Sequence, residues 1–182
     1  TGQGLLRYLL VKNGFQSGQA MVVLVTNGRT FPEGEELARI LASRFPEIKS
    51  VVQNVNTMKG NVVLGETNIV LYGEDGIIDR LDDLEFKISA TSFFQVNPAQ
   101  TEILYNKAVE YAGLTGKERV VDAYCGVGSL TLFLARRARE VYGVEVVAEA
   151  VNDAVENAKR NGIENVRFVA GETEVVLPRL AR

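Results

Sequence analysis

The chain has 182 residues, 46% hydrophobic and 24% charged, which is ordinary for a soluble globular protein of one domain or two small ones. No apolar run reaches the roughly 18 residues a membrane-spanning helix needs, and one cysteine with no histidine excludes an intrachain disulfide framework and the usual zinc sites. The net charge of −3 brings no basic stripe, and the cluster Arg136, Arg137 and Arg139 reads as a solvated helix face.

The N-terminus, Thr1-Gly2-Gln3-Gly4, has no signal-peptide character and no initiator Met, so the chain is expected to begin inside a longer protein. From there Leu5 to Val11 and Met21 to Val25 are β-rich runs separated by the polar stretch Lys12 to Gln19, a hairpin with a long loop. Asn27-Gly28 punctuates its end. Glu35 to Phe45 has helical spacing, with Leu37, Ile40 and Leu41 on one face and Pro46 just beyond. Val51 to Val55, Val62 to Leu64, Ile69 to Tyr72 and Phe86 to Ser89 read as short strands, which makes residues 1–92 a small α+β domain.

The pattern then changes. Asn97-Pro98 is a helix start, because Asn can cap free amides and Pro is preorganised at the first helical position. Ile103, Leu104, Ala108 and Tyr111 follow at helical spacing as the expected buried face. After them strand and helix alternate: strands at Arg119–Ala123, Glu140–Val144 and Val166–Val169, helices at Ser129–Arg137, Val147–Asn161 and from Glu174 to Leu180. Such alternation means βαβ units and a parallel sheet, over residues 93–182.

Asp122-Ala123-Tyr124-Cys125-Gly126-Val127-Gly128-Ser129 occupies the first strand-to-helix turn. Gly126 and Gly128 allow close approach of a ligand to the backbone, at the carboxyl ends of the strands. Glu145 ends the second strand, 145 − 128 = 17 residues past the second glycine, where an acid can accept hydrogen bonds from both ribose hydroxyls. Dinucleotides and S-adenosylmethionine are both bound this way. A dinucleotide asks for a third glycine to dock its pyrophosphate, and that position is Thr131. Asp122 would repel a pyrophosphate but suits the sulfonium and ammonium of S-adenosylmethionine.

These residues also match a family. Ser92-Phe93-Phe94-Gln95-Val96-Asn97-Pro98, the loop from Asp122 to Ser129, and Gly143-Val144-Glu145 together resemble the RNA uridine-5-methyltransferases, which act on 23S ribosomal RNA or the transfer RNA T-loop. Leu5 to Asn27 and Ile48 to Gly65 resemble the middle domain of the ribosomal branch. The resemblance implies an α/β, Rossmann-like class I S-adenosylmethionine methyltransferase domain, C-terminally incomplete, preceded by the small α+β domain. It implies S-adenosylmethionine as cofactor, bound by Gln95, Tyr124, Gly126, Gly128, Ser129, Glu145 and, on the adenine side, Glu172. Phe93 and Phe94 offer aromatic platforms for an unstacked uracil, one stacking and the other in the core.

The family activates uracil with a cysteine thiolate and a carboxylate base, both placed after a fourth strand with an Asp-Pro-Pro-Arg type motif. This chain has no Pro-Pro pair, so no catalytic residue is expected within it, and an iron–sulfur cluster or RNA-binding barrel would precede Thr1. Cys125 lies in the cofactor loop and is not expected to be the nucleophile. The expected partner is RNA, 23S ribosomal before transfer RNA, with no membrane, no metal and no obligate protein partner, in the cytoplasm as the lone cysteine suggests. A methyltransferase for another substrate, and a non-catalytic RNA-binding module with a degenerate methyltransferase fold, remain as alternatives.

Overall fold

In the computed structural model, which describes residues 4–180, the chain separates into two units. One runs to Asp79 and takes in Ser89–Thr91; the other holds Arg80–Ile88 and continues from Ser92. The residues Thr1 to Gln3 of the N-terminal reading lie outside the described residues. No helix among the described residues is long and apolar enough to cross a membrane.

The first unit is a four-stranded sheet in the order β1 (Leu6–Asn13), β2 (Ala20–Thr26), β3 (Ile48–Val55), β4 (Thr67–Gly73). β1 pairs antiparallel with β2, as the hairpin reading requires, although β1 continues to Asn13 and leaves a shorter loop. β2 and β3 are parallel, because α1 (Gly34–Arg44) carries the chain back across the sheet between them. Ala38 and Ala42 are the buried residues of α1 that let it approach Val22, Leu24 and Val51, flanked by half-buried Leu37 and Leu41. Ile40, expected on that face, is 52% exposed.

The expected strand at Val62–Leu64 does not form. Asn56 Nδ2 donates to the carbonyls of Val62 (2.7 Å) and Val63 (3.0 Å), so a side chain takes the acceptors a neighbouring strand would use. Gly65 crosses so close to β3 that a Cβ there would stand 2.0 Å from the Val55 carbonyl oxygen. A strand the sequence reading missed, β5 (Gly76–Leu81), forms a two-stranded sheet with β6 (Leu84–Ser89).

In the second unit, α2 (Pro98–Ala112) begins where Asn97 and Pro98 predict, with the Asn97 side chain accepting from the Gln100 amide. Its buried face is not the expected one. Thr101 and Tyr105 are buried, whereas Ile103, Leu104 and Tyr111 are 63%, 61% and 77% exposed. Two stripes on this helix satisfy helical spacing, and the core took the one holding Tyr105.

Then come β7 (Arg119–Ala123), α3 (Ser129–Ala135), β8 (Glu140–Glu145), α4 (Ala148–Arg160), β9 (Val166–Ala170) and α5 (Thr173–Leu180). The strands form a parallel sheet in the order β7-β8-β9, as the alternation predicts. Leu132 and Phe133 of α3 and Ala158 of α4 pack with Leu81, Leu84, Phe86 and Tyr105. Asn157 of α4 and Asn161, which caps its end one turn later, bind the β6 backbone as a strand would: Asn157 Oδ1 accepts from the Lys87 amide at 2.6 Å, and Asn161 Oδ1 from the Glu85 amide at 2.9 Å.

Candidate functional site

The carboxyl end of the parallel sheet turns into α3 through residues 124–128. Three of those five take the left-handed conformation: Tyr124 (φ 62°), Gly126 (φ 55°) and Gly128 (φ 80°). Glycine adopts it freely; for Tyr124 it costs on the order of 1 kcal/mol. The Cys125 amide continues the sheet ladder to the Val144 carbonyl (2.9 Å), laying the loop over the end of β8. That brings the Gly126 amide to Glu145 Oε2 at 3.0 Å, while Glu145 Oε1 accepts from the Val147 amide at 2.9 Å. Glu145 is therefore aimed by two backbone donors, and each oxygen keeps a further lone pair for a ligand.

The two loop glycines do different things. A Cβ on Gly126 would meet nothing within 4 Å, so this side of the loop is open to a ligand. A Cβ on Gly128 would stand 3.0 Å from the Phe168 ring and 3.2 Å from Ala154, and the Gly128 amide is already bonded to the Cys125 carbonyl. Gly128 thus serves packing against β9 and α4. The loop is also held from α4, where Asn157 Nδ2 donates to the Val127 carbonyl at 3.1 Å.

Beside the loop is a cleft of about 260 Å³ lined by Phe93, Phe94, Gln95, Tyr105, Asp122, Tyr124, Cys125, Gly126 and Ser129, among others. Asp122 is buried and accepts from Thr131 Oγ1 at 2.6 Å; burial pushes its carboxyl above the ordinary range. The Cys125 thiol is pushed up to about 12, first by burial and then by the Asp122 and Glu145 carboxylates. Such a thiol holds its proton and is not a nucleophile at neutral pH. The Asp122 and Glu145 carboxylates are the acidic groups that face this thiol.

Of the residues singled out in the sequence, Gln95, Tyr124, Gly126 and Ser129 line the cleft, and Glu145 borders it through its bond to Gly126. Glu172 is exposed at the start of α5, where its carbonyl accepts from Val175 and Val176, and does not line this cleft. Phe93 is 69% exposed, while Phe94 is half-buried against Phe86 with centroids 5.7 Å apart. The sequence reading missed Tyr105, whose hydroxyl lies 2.9 Å from Ser129 Oγ. It also missed Glu174, which accepts from the Tyr124 hydroxyl at 2.7 Å. Nothing local in the sequence marks Glu174, since Tyr124 lies 50 residues away.

S-adenosylmethionine fits these residues. Gly126 leaves room at the backbone, and Glu145, aimed by two backbone amides, presents acceptors at the strand end where a ribose would lie.

Comparison with known proteins agrees. A family model described as methyltransferase domain matches residues 114–181. The chain is 49% identical over 180 residues to an uncharacterized RNA methyltransferase of Clostridium acetobutylicum, covering 99% of this chain and 39% of that protein. It is 50% identical over 179 residues to another from Caldanaerobacter subterraneus, covering 98% and 40%. The chain therefore spans about two-fifths of the length of these curated relatives. Among solved structures, the Pyrococcus abyssi tRNA (uracil-54, C5)-methyltransferase in complex with S-adenosyl-L-homocysteine superposes with a TM-score of 0.74 at 29% identity, over 93% of this chain and 40% of that one. Trm5b from the same organism has a TM-score of 0.53 at 22% identity over 84% of this chain and 46% of that one, a likeness of fold. The fold is the α/β Rossmann-like fold of S-adenosylmethionine-binding methyltransferases.

Proposed function

We propose that this chain is the methyl-donor-binding part of an S-adenosylmethionine-dependent RNA methyltransferase that forms 5-methyluridine, with 23S ribosomal RNA as its substrate. The observation that carries this is the glycine loop at the end of the parallel sheet, where two backbone amides aim Glu145 beside a cleft that Gln95, Tyr124 and Ser129 line. In this reading Glu145 accepts from the ribose hydroxyls, Gln95 and Ser129 contact the donor, and Tyr124 packs on it. Gly126 admits it to the backbone, and Glu172 approaches the adenine side from beyond β9. The bound donor supplies an electrophilic methyl group. The exposed Phe93 stacks on the target uracil while Phe94 anchors the segment in the core.

In this reading residues 1–92 are the small α+β domain and residues 93–182 the first part of the donor-binding domain, with Arg80–Ile88 joining the second unit. The relatives are more than twice as long as this chain, and Cys125 holds its proton. In this reading the nucleophile and base that uracil C5 requires are not among these residues, as the resemblance implies, and the protein is cytoplasmic. The ribosomal substrate rests on the resemblance of Leu5–Asn27 and Ile48–Gly65 to that branch. A second reading, transfer RNA, is favoured by the 29% identity to the tRNA (uracil-54, C5)-methyltransferase.

The test is calorimetry of the full-length protein with S-adenosylmethionine, followed by transfer of labelled methyl groups to unmodified 23S ribosomal and transfer RNA. Donor binding and 5-methyluridine in the ribosomal RNA are expected, and label confined to transfer RNA would select the second reading. A protein that binds RNA but no donor is an RNA-binding module instead. The 182-residue chain alone is expected to methylate nothing.

A further inference from the structure

Tyr105 is a buried hydroxyl for which the proposed function has no use. It is 7% exposed, and its ring packs edge-on against Phe133 with centroids 5.3 Å apart and planes at 70°. Phenylalanine would pack as well, and burying a hydroxyl costs free energy unless its hydrogen bonds are made. The hydroxyl has two polar neighbours. It lies 2.9 Å from Ser129 Oγ, and the Gln95 side chain, lining the same cleft wall, acts on it as a hydrogen-bonding group. Gln95 comes from the segment before α2, Ser129 is the first residue of α3, and all three side chains meet at the cleft wall.

We infer that Tyr105 is a positioning residue that orients Gln95 and Ser129 toward the methyl donor. The inference rests on the donor-binding reading given above and adds to it a residue that touches the other two. A phenol has one proton to give and two lone pairs to offer, so serving two partners imposes a direction on the set. If Tyr105 donates to Ser129, the serine proton is released toward the cleft and the Gln95 amide nitrogen is held back. If it donates to Gln95, the serine proton is held and the amide nitrogen is released. Either way the cleft presents a defined pattern of donors and acceptors, with little orientational freedom left to lose on binding. Burial, first among its influences, raises the pKa of Tyr105, so the group stays a neutral phenol.

The experiment is Tyr105→Phe in the full-length protein, read by calorimetry with S-adenosylmethionine, by kcat and donor KM, and by thermal unfolding. The expected result is a donor Kd and KM raised by about three- to tenfold, the scale of one hydrogen bond. The kcat at saturating donor and the unfolding midpoint stay near wild type. In a cycle with Gln95→Ala, the Tyr105→Phe loss shrinks once Gln95 is gone. Wild-type binding with an unchanged Kd in Tyr105→Phe, or an additive cycle, overturns this inference and leaves the donor-binding reading standing. A wild-type protein that binds no donor defeats both. Should Tyr105→Phe unfold, the cycle between Gln95→Ala and Ser129→Ala reads the same link, and additivity there overturns it.

Discussion

A Cβ on Gly143 would stand 2.6 Å from the Phe168 ring. It would also lie 2.8 Å from Cys125 Sγ, so β8 has no room for a side chain where Phe168 of β9 leans across it. The same ring lies over Gly128, which makes Phe168 the plug between the sheet and the cofactor loop. Gly143→Ala should therefore destabilise the fold by about 1–3 kcal/mol, the usual cost of overpacking. Denaturant unfolding would read this as a lower midpoint at unchanged slope. An unchanged midpoint would mean that the ring gives way freely.

Tyr124 holds a left-handed backbone without being glycine, its hydroxyl tied to Glu174 at 2.7 Å. Tyr124→Gly should keep the stability within about 1 kcal/mol of wild type, because relief of the backbone offsets the greater freedom of the unfolded glycine. Donor affinity should fall in the same variant, since the ring is gone. Retention of wild-type affinity would remove Tyr124 from the site.

Cys125 gives a pH dependence with a definite sign. Its folded value, about 12, lies above the ordinary 9.0, so the fold favours the protonated thiol. This contribution is fully present below pH 9 and is lost as the pH rises toward 12. Wild type should lose stability relative to Cys125→Ala across that window. At pH 8 the folded thiol should react with iodoacetamide at least about a hundredfold more slowly than the unfolded one. Turnover of Cys125→Ser should stay within about a few-fold of wild type, whereas loss of a true nucleophile costs orders of magnitude. A dead variant that still binds donor would overturn the assignment of the nucleophile to residues beyond this chain.

Glu145→Ala should weaken donor binding by roughly 1.5–3 kcal/mol, the scale of hydrogen bonds to a charged group. Because Glu145 also holds the Gly126 and Val147 amides, Ala loosens the loop as well. Glu145→Gln keeps one acceptor and isolates the ligand's share, so its loss should be smaller. Calorimetry on both variants tests this; equal affinity in all three proteins takes Glu145 out of the site.

The alternation of strands and helices from Arg119 onward, the glycine loop at the first turn and the helix start at Asn97-Pro98 could all be read in the sequence. Each is a local matter: a strand buried on both faces needs an apolar run, a left-handed turn favours glycine, and a free helix end needs a cap. What covers a face is not local. Thr101 and Tyr105 on α2 were taken into the core and Ile103, Leu104 and Tyr111 were left exposed, although both stripes have helical spacing. Val62–Leu64 has strand composition, yet Asn56 claims its carbonyls. Gly126 and Gly128 look alike in sequence and part company only because Phe168, some forty residues on, fills the space behind one of them. Composition and periodicity establish which groups need partners, but the partners come from distant parts of the chain and are assigned only when the tertiary structure brings them within reach.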